Sequence, residues 1–134
     1  MSQSFVHHIC IQTNTYTDSI KFYTEGLGFK LVQESPNFHG RDYNTWLQLG
    51  TFYIELQTGK KGESLGESVS NSQGIAHFCI WVENLDEEVA RLQNLGAEFL
   101  LKNNMPIYQV ENGFLCKVRA PEGTIVELRD NKGI

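Results

Sequence analysis

The sequence has few cysteines and no long hydrophobic run. Its three cysteines are odd in number and lack CxxC spacing, which indicates neither a disulfide framework nor a cysteine zinc cluster. We expect small buried thiols at Cys10, Cys79 and Cys116. The longest apolar stretches, such as 75–82, are strand-sized and far shorter than the roughly 20 residues that cross a bilayer. We therefore expect a soluble protein without a membrane partner.

Basic residues are also scarce. Eleven Lys and Arg residues face sixteen Asp and Glu residues, which gives a formal net charge of -5 and disfavours a nucleic-acid partner. The first residues show neither a basic segment nor an apolar segment typical of a secretory signal, so we expect a cytoplasmic location. With 134 residues, 40% hydrophobic and 20% charged, the chain fits one globular domain over residues 1–134.

The two halves of the chain resemble each other. Residues 8–11 read HICI and residues 77–80 read HFCI. A Leu-Gly pair follows each histidine, at 27–28 and at 95–96, and the halves end alike in YIELQ at 53–57 and IVELR at 125–129. We infer a tandem duplication, with module one at about 5–58, a junction rich in Gly, Ser and Glu at 59–74, and module two at about 75–130.

Hydrophobic periodicity predicts a strand, a helix and then three strands in each module. In module one, the helix is expected at 17–27 and the strands at 6–12, 29–33, 43–49 and 52–57. In module two, the helix is expected at 85–95 and the strands at 75–82, 98–101, 109–118 and 124–129. The fold class is therefore α+β, built from two βαβββ modules.

Alternation along the strands separates apolar from polar side chains. Ile9 and Ile11 share one face of the first strand, whereas His8 lies on the other face. The equivalent strand of module two and both glutamate strands follow the same rule. Each sheet is thus predicted to have an apolar back under a helix and a concave front that carries one histidine and one glutamate.

Association of the two modules would bring four such side chains together, which predicts a divalent metal site. Imidazole nitrogen and carboxylate oxygen suit nickel, zinc, cobalt, manganese or iron, and four protein ligands leave positions open for substrate. A single strand histidine is more often structural and a single glutamate is more often solvated, but their recurrence in both halves favours a metal. The predicted ligands are His8, Glu55, His77 and Glu127.

Other candidate residues receive weaker interpretations. His7 and His39 have no repeat partners and are expected to be exposed or in loops. Cys10 and Cys79 share the front faces, where packing of a small side chain is favoured over metal ligation. The aromatic residues Trp46, Tyr53 and Trp81 are expected in the core and receive no functional role.

Several motifs are similar to those of a known family. They are His8, SIKFY at 19–23, LGF at 27–29, IEL at 54–56, GIAH at 74–77 and PEG at 121–123 leading into VEL at 126–128. As a set they resemble the vicinal oxygen chelate superfamily, which includes glyoxalase I, methylmalonyl-CoA epimerase, extradiol dioxygenases, fosfomycin-resistance enzymes and metal-free antibiotic-binding proteins. The resemblance covers residues 5–130 and implies a cup-shaped, barrel-like mixed sheet with helices on its outer face.

The complete set of two histidines and two glutamates resembles glyoxalase I. This resemblance implies a metal-dependent lyase or isomerase, like lactoylglutathione lyase, that transfers a proton through a metal-bound enediolate on a substrate such as a thiol adduct of a 2-oxoaldehyde. It also implies a homodimer. A methylmalonyl-CoA epimerase-like enzyme and a metal-free small-molecule-binding or resistance protein stay open as alternatives.

One position departs from the family pattern. Glutathione-dependent bacterial glyoxalases usually carry an arginine four residues after the first histidine, where this chain has Gln12. This departure, and the absence of an asparagine shortly after Glu55, disfavour glutathione itself. Glu127 is expected to be the catalytic base, with Glu55 as the second choice. The front-face residues Gln12, Gln57 and Arg129 are expected to contact the substrate.

Overall fold

Each half of the chain builds its own sheet. The structure, a computed structural model, describes residues 2–69 and 71–134 and divides into two units, Met1–Gly66 and Glu67–Ile134. The boundary between the units falls inside the stretch 59–74, where turn-forming residues interrupt the hydrophobic periodicity. The α+β class is confirmed, because each unit combines a helix with a mixed sheet. Closure of the two sheets into one cup stays a prediction.

The first unit contains a four-stranded sheet in the order β1-β4-β3-β2. Strand β1 runs parallel to β4, while β2, β3 and β4 pair antiparallel. A parallel neighbour requires a crossover connection, and the helical segment with β2 and β3 supplies it. The elements are β1 (His8–Thr13), α1 (Tyr16–Lys21), a π-helical turn (Phe22–Gly26), β2 (Lys30–Phe38), β3 (Arg41–Leu49) and β4 (Phe52–Thr58).

The second unit repeats this topology in the order β5-β9-β8-β6, with β7 also paired to β8. Strand β5 runs parallel to β9, and β8 is antiparallel to its neighbours. The short strands β6 and β7 together occupy the position of β2. The elements are β5 (Phe78–Trp81), α2 (Leu85–Asn94), β6 (Glu98–Phe99), β7 (Tyr108–Val110), β8 (Gly113–Arg119) and β9 (Ile125–Arg129).

Helix α2 shows why the periodicity in the sequence was informative. The side chain of Asn84 caps its first turn by accepting a hydrogen bond from the backbone N–H of Glu87 at 3.2 Å. Leu85, Val89 and Leu92 recur at helical spacing and are buried. The helix ends at the Leu-Gly pair, where Gly96 has a φ of +75°.

Some predicted elements differ from the structure. The single strand predicted at 109–118 is a hairpin of β7 and β8, because Glu111 and Asn112 form a tight turn between the paired residues Val110 and Gly113. A Cβ at Gly113 would lie 2.5 Å from the Asp130 Oδ1 atom, so a larger residue there would displace the Asp130 side chain. The single helix predicted at 17–27 is α1 followed by the π-helical turn. The strand predicted at 29–33 continues to Phe38.

The predicted alternation of faces holds in both sheets. Leu47, Ile54 and Leu56 are fully buried in the first unit, and Val126 and Leu128 form the corresponding core of the second. The residues between them face the other side of each sheet and are more exposed. Within residues 2–69 and 71–134, no helix is both long and apolar enough to span a membrane.

Candidate functional site

Parallel pairing of β1 with β4 places His8 beside Glu55. The register aligns Cys10 with Glu55, and His8 lies two residues earlier on the same face. The Nε2 atom of His8 is 3.6 Å from Oε1 of Glu55. Two predicted ligands of the first unit therefore lie together on the front of its sheet.

The second unit repeats this pair. The register aligns Cys79 with Glu127, and His77 lies two residues earlier, just before β5. The distance from His77 Nε2 to Glu127 Oε1 is 3.5 Å. Glu127 is the more buried of the two glutamates, with its side chain 10% exposed compared with 22% for Glu55. Within the described residues, neither unit gathers three or more His, Cys, Asp or Glu side chains that could hold a metal alone.

The cysteines correct one prediction. Cys116 is buried, but Cys10 and Cys79 are exposed because they lie on the front faces and not on the apolar backs. Partial burial of the thiol, the negative charge of Glu55 and a hydrogen bond to it raise the pKa of Cys10 to about 11. Burial, a hydrogen bond to Glu127 and its charge raise the pKa of Cys79 to about 12. At neutral pH each thiol is protonated and can donate to its glutamate.

Glu55 has an amide neighbour that sequence reasoning missed. Asn44 is 2% exposed, and its Nδ2 atom donates to Glu55 Oε2 at 3.2 Å, while its buried Oδ1 atom has no hydrogen-bond partner. Asn44 lies on β3 with Trp46, which pairs directly with Glu55. A polar residue two positions before Trp46 on the same face was the available signal.

His8 lies in an aromatic cluster. The Nδ1 atoms of His7 and His8 are 2.9 Å apart, and the His7 ring stacks on Tyr53 with centroids 5.2 Å apart. Trp46 contacts His8 edge-on at 4.9 Å. His7 is exposed, as predicted, but Trp46 and Tyr53 are half-buried on the front face instead of in the core. The contact through Nδ1 leaves Nε2 of His8 facing Glu55.

Trp81 also lies outside the core. It is 42% exposed, its indole N–H donates to the Asp130 carbonyl at 3.0 Å, and the Lys132 ammonium lies 4.3 Å from the ring centroid. His39 occupies the exposed turn between β2 and β3, with a φ of +48°. The predicted loop position of His39 is confirmed by this turn.

Glu127 has different neighbours from Glu55. Lys117 on β8 pairs with Glu127 in the position that Trp46 holds beside Glu55. Burial and the charge of Glu127 raise the pKa of Tyr108. Arg129 follows two residues after Glu127 on the same face, and its buried Nε atom has no hydrogen-bond partner.

The predicted substrate residues lie on the front faces of their own sheets. Gln12 and Gln57 are paired in the β1–β4 register, and Arg129 pairs with Trp81 in the β5–β9 register. Sequence reasoning missed Arg41, whose Nη1 atom donates to Gln12 Oε1 at 3.0 Å and to the Thr58 carbonyl at 2.7 Å. This contact depends on the β2–β3 hairpin, which periodicity alone does not reveal.

Comparison with known proteins gives a family match over most of the chain. Residues 5–128 match the model of the Glyoxalase/Bleomycin resistance protein/Dioxygenase superfamily. The uncharacterized protein YwkD of Bacillus subtilis is 31% identical over 94 residues, which cover 69% of this chain and 73% of YwkD.

Solved structures share the fold. The trypanothione-dependent glyoxalase I of Leishmania major matches with a TM-score of 0.74 and 26% identity, over 97% of this chain and 88% of that one. A variant of the fosfomycin resistance protein FosX from Listeria monocytogenes, solved with Mn(II) and a dihydroxypropylphosphonic acid, matches with a TM-score of 0.72 and 16% identity, over 98% and 93%. The FosX likeness shows the fold alone.

Proposed function

The chain belongs to the Glyoxalase/Bleomycin resistance protein/Dioxygenase superfamily, and we propose that it is a metal-dependent lyase or isomerase of the glyoxalase I type. The proposed reaction moves a proton between adjacent carbons of a small oxygenated molecule, such as a thiol adduct of a 2-oxoaldehyde. The observation that supports this proposal is the repeated pair of one histidine and one glutamate, in the same register on the front of each sheet.

The donors in these pairs fit a divalent cation. Among the ion pairs of the described residues, Glu55 and Glu127 have only a histidine partner each. A nearly buried carboxylate such as Glu127 is costly without a compensating positive charge. Histidine nitrogen and carboxylate oxygen together suit nickel, zinc, cobalt or manganese. The residues that would hold the ion are His8, Glu55, His77 and Glu127.

A bound divalent ion would supply Lewis-acid polarisation of the substrate oxygens. The proton transfer itself falls to a glutamate. Each glutamate has a histidine and a cysteine thiol as neighbours, but Glu55 is also held at Oε2 by the Asn44 amide, whereas Lys117 stands beside Glu127 in the strand register. This difference favours Glu127 as the base that takes a proton from one carbon and returns it to the next, with Glu55 in the second place. The proton is conserved, so no oxidant or reductant is required.

The remaining roles concern the substrate and the assembly. We propose that Gln12, Gln57 and Arg129 contact the substrate. Gln57 and Arg129 lie two residues after the two glutamates on the same faces, and Gln12 pairs with Gln57. The homodimer is a proposal that follows from the family resemblance, and the cytoplasmic location stays a proposal beside it. The proposed site takes its four ligands either from one chain or from two copies of the chain in a dimer.

Metal content tests the proposal directly. Protein purified without added metal would be examined by elemental analysis, and then titrated with Ni(II), Zn(II), Co(II) and Mn(II) in a calorimeter. The wild type is expected to bind one ion for each set of four ligands, and His77→Ala is expected to bind much more weakly. His39→Asn is the matched control, because asparagine tolerates the positive φ of that turn. Absence of binding by the wild type under both conditions would favour a metal-free binding protein.

Two assays then separate the enzymatic alternatives. The metal-loaded protein would be assayed for isomerisation of hemithioacetals made from several thiols, and for epimerisation of 2-methylmalonyl-CoA. Turnover of a hemithioacetal supports the glyoxalase-like reaction. Epimerisation alone would assign the chain to the rival reaction, which uses the same proton transfer.

A further inference from the structure

Arg41 is the first residue of β3, and its guanidinium contacts residues at the ends of β1 and β4. Its Nη1 atom donates both to Gln12 Oε1 at 3.0 Å and to the Thr58 carbonyl at 2.7 Å. Both acceptors are neutral. They fix the direction of the side chain without compensating its charge.

The positive charge of Arg41 has no carboxylate partner among the described residues. The neighbouring Asp42 carboxylate pairs with Lys61 instead, at 3.7 Å. A guanidinium carries five N–H donors in a planar fork, and only the Nη1 donors of Arg41 are used by the described residues. The Nε and Nη2 donors stay available, which is the arrangement that a carboxylate recognises through two parallel hydrogen bonds.

The register places this guanidinium close to the proposed metal ligands. Gln12, which holds Arg41, pairs with Gln57, and both lie two residues beyond the paired Cys10 and Glu55. Two residues of a strand span about 7 Å. Arg41 is also close enough to Cys10 for its charge to oppose the rise in the thiol pKa.

The second unit has a guanidinium in the corresponding row. Arg129 lies two residues beyond Glu127, and its buried Nε atom lacks a hydrogen-bond partner. Arg129 occupies the position that Gln57 holds in the first unit, whereas Arg41 reaches the row of Gln12 and Gln57 from the start of β3. The two guanidinium groups are therefore not repeat partners, and the inference concerns Arg41 alone.

We propose that Arg41 binds a carboxylate of the substrate, about 7 Å along the strands from the Glu55 row, so that the substrate is a small oxygenated acid. This inference rests on the proposed function, because it takes the glutamate row as the place of proton transfer. Arg41 is then a residue that determines specificity, and Gln12 is the residue that orients it.

Two matched probes test this inference on the Mn(II)-loaded full chain. The first is the monohydroxamate of adipic acid, whose hydroxamate binds a metal and whose carboxylate lies four methylene groups away. The second is the same molecule with the carboxylate replaced by a neutral amide. Isothermal titration calorimetry would measure the dissociation constant of each probe, and a sample treated with EDTA would show the part that depends on metal.

The wild type is expected to bind the acid roughly tenfold more tightly than the amide, as charge-assisted hydrogen bonds usually provide. Arg41→Met is expected to lose this preference while binding the amide as the wild type does, which also shows that the variant is folded. Arg41→Lys should keep a smaller preference, because an ammonium lacks the fork. Arg91→Met, which removes an arginine from α2, is the control and should retain the full preference.

Three results would overturn the inference. Equal binding of acid and amide by the wild type would exclude an anion-binding role of Arg41 and leave the metal proposal intact. A preference that persists in Arg41→Met would transfer the role to another cation, such as Arg129. If neither probe binds the Mn(II)-treated wild type, the proposed metal site fails and the inference fails with it.

Discussion

Glu127 lies 3.5 Å from His77 while its side chain is only 10% exposed, whereas the equivalent glutamate beside His8 is 22% exposed and held by Asn44. The two halves thus share one pair of residues but not its surroundings. A carboxylate with fewer hydrogen-bond partners is freer to change its position during a reaction. This difference is the structural reason for separating the roles of the two glutamates.

The first prediction concerns the catalytic base. Glu127→Gln removes the proton acceptor but keeps the shape of the side chain, so the fold and much of the metal binding should persist. The rate at which the substrate takes up deuterium from deuterated water, measured by NMR, should fall by two to four orders of magnitude. This is roughly the contribution of general base catalysis. Glu55→Gln is the matched comparison and should lose less. Unchanged exchange in Glu127→Gln would remove this residue from the mechanism.

The second prediction concerns His7. Its Nδ1 atom lies 2.9 Å from Nδ1 of His8, and such contacts orient metal-binding histidines. His7→Ala is expected to weaken Mn(II) binding by roughly tenfold, measured by calorimetry. His7→Phe keeps a ring on Tyr53 but lacks the nitrogen, and should show the same loss. Wild-type affinity in His7→Phe would reduce the role of His7 to stacking.

The third prediction concerns pH. Burial raises the pKa of Cys116 from 9.0 to about 11, so the unfolded chain releases this proton before the folded chain does. The contribution of Cys116 is therefore fully present below pH 9 and is lost as the pH rises through about 11. The expected loss is roughly 2 kcal/mol of unfolding free energy by pH 11.

Urea unfolding at several pH values between 8 and 11 checks this effect. In Cys116→Ala the thiol is absent, so stability should fall less steeply with pH than in the wild type. The gap between the two proteins should narrow as the pH rises. A gap that stays constant over this range would contradict the predicted linkage.

The fourth prediction concerns the turn before β9. Gly123 has a φ of +98°, and a Cβ there would lie 2.6 Å from the Ser68 Cβ atom. Gly123→Ala should therefore cost roughly 2–4 kcal/mol, because backbone strain and a steric clash combine. Gly96→Ala, with a φ of +75° and no atom within 4 Å of the new Cβ, should cost about 1 kcal/mol.

A double substitution separates the two causes. Ser68→Gly removes the atom that the new methyl group would meet, so Gly123→Ala should be less costly in that background. Urea denaturation of the four proteins gives the coupling energy. Equal costs of Gly123→Ala in both backgrounds would show that strain alone is responsible.

The fold and the two histidine–glutamate pairs were accessible from the sequence because they depend on regular spacing. The repeat identified His8 with His77 and Glu55 with Glu127, and alternation assigned each pair to one face of a strand. Parallel pairing of the first and last strands of each module then brings the two side chains together. Neither step requires knowledge of loop geometry.

Other features depend on loops and on long side chains. Arg41 reaches Gln12 because the turn between β2 and β3, at residues 39–40, places Arg41 at the start of β3. Asn44 meets Glu55 because of the register of β3 with β4. The exposure of Cys10 was missed because composition favours burial of cysteine, whereas its position in the alternation places it on the polar face. The binding of one metal ion by His8, Glu55, His77 and Glu127 together stays a prediction.

The unlike neighbours of the two glutamates have a consequence for stereochemistry. If an ancestral module paired with its own copy, both carboxylates would have had the same surroundings, and a planar intermediate could be protonated from either side. In this chain Trp46 stands beside one carboxylate and Lys117 beside the other. If the proposed proton transfer takes place at these glutamates, their unlike neighbours would give the two carboxylates different surroundings, and the product would be expected to have one handedness.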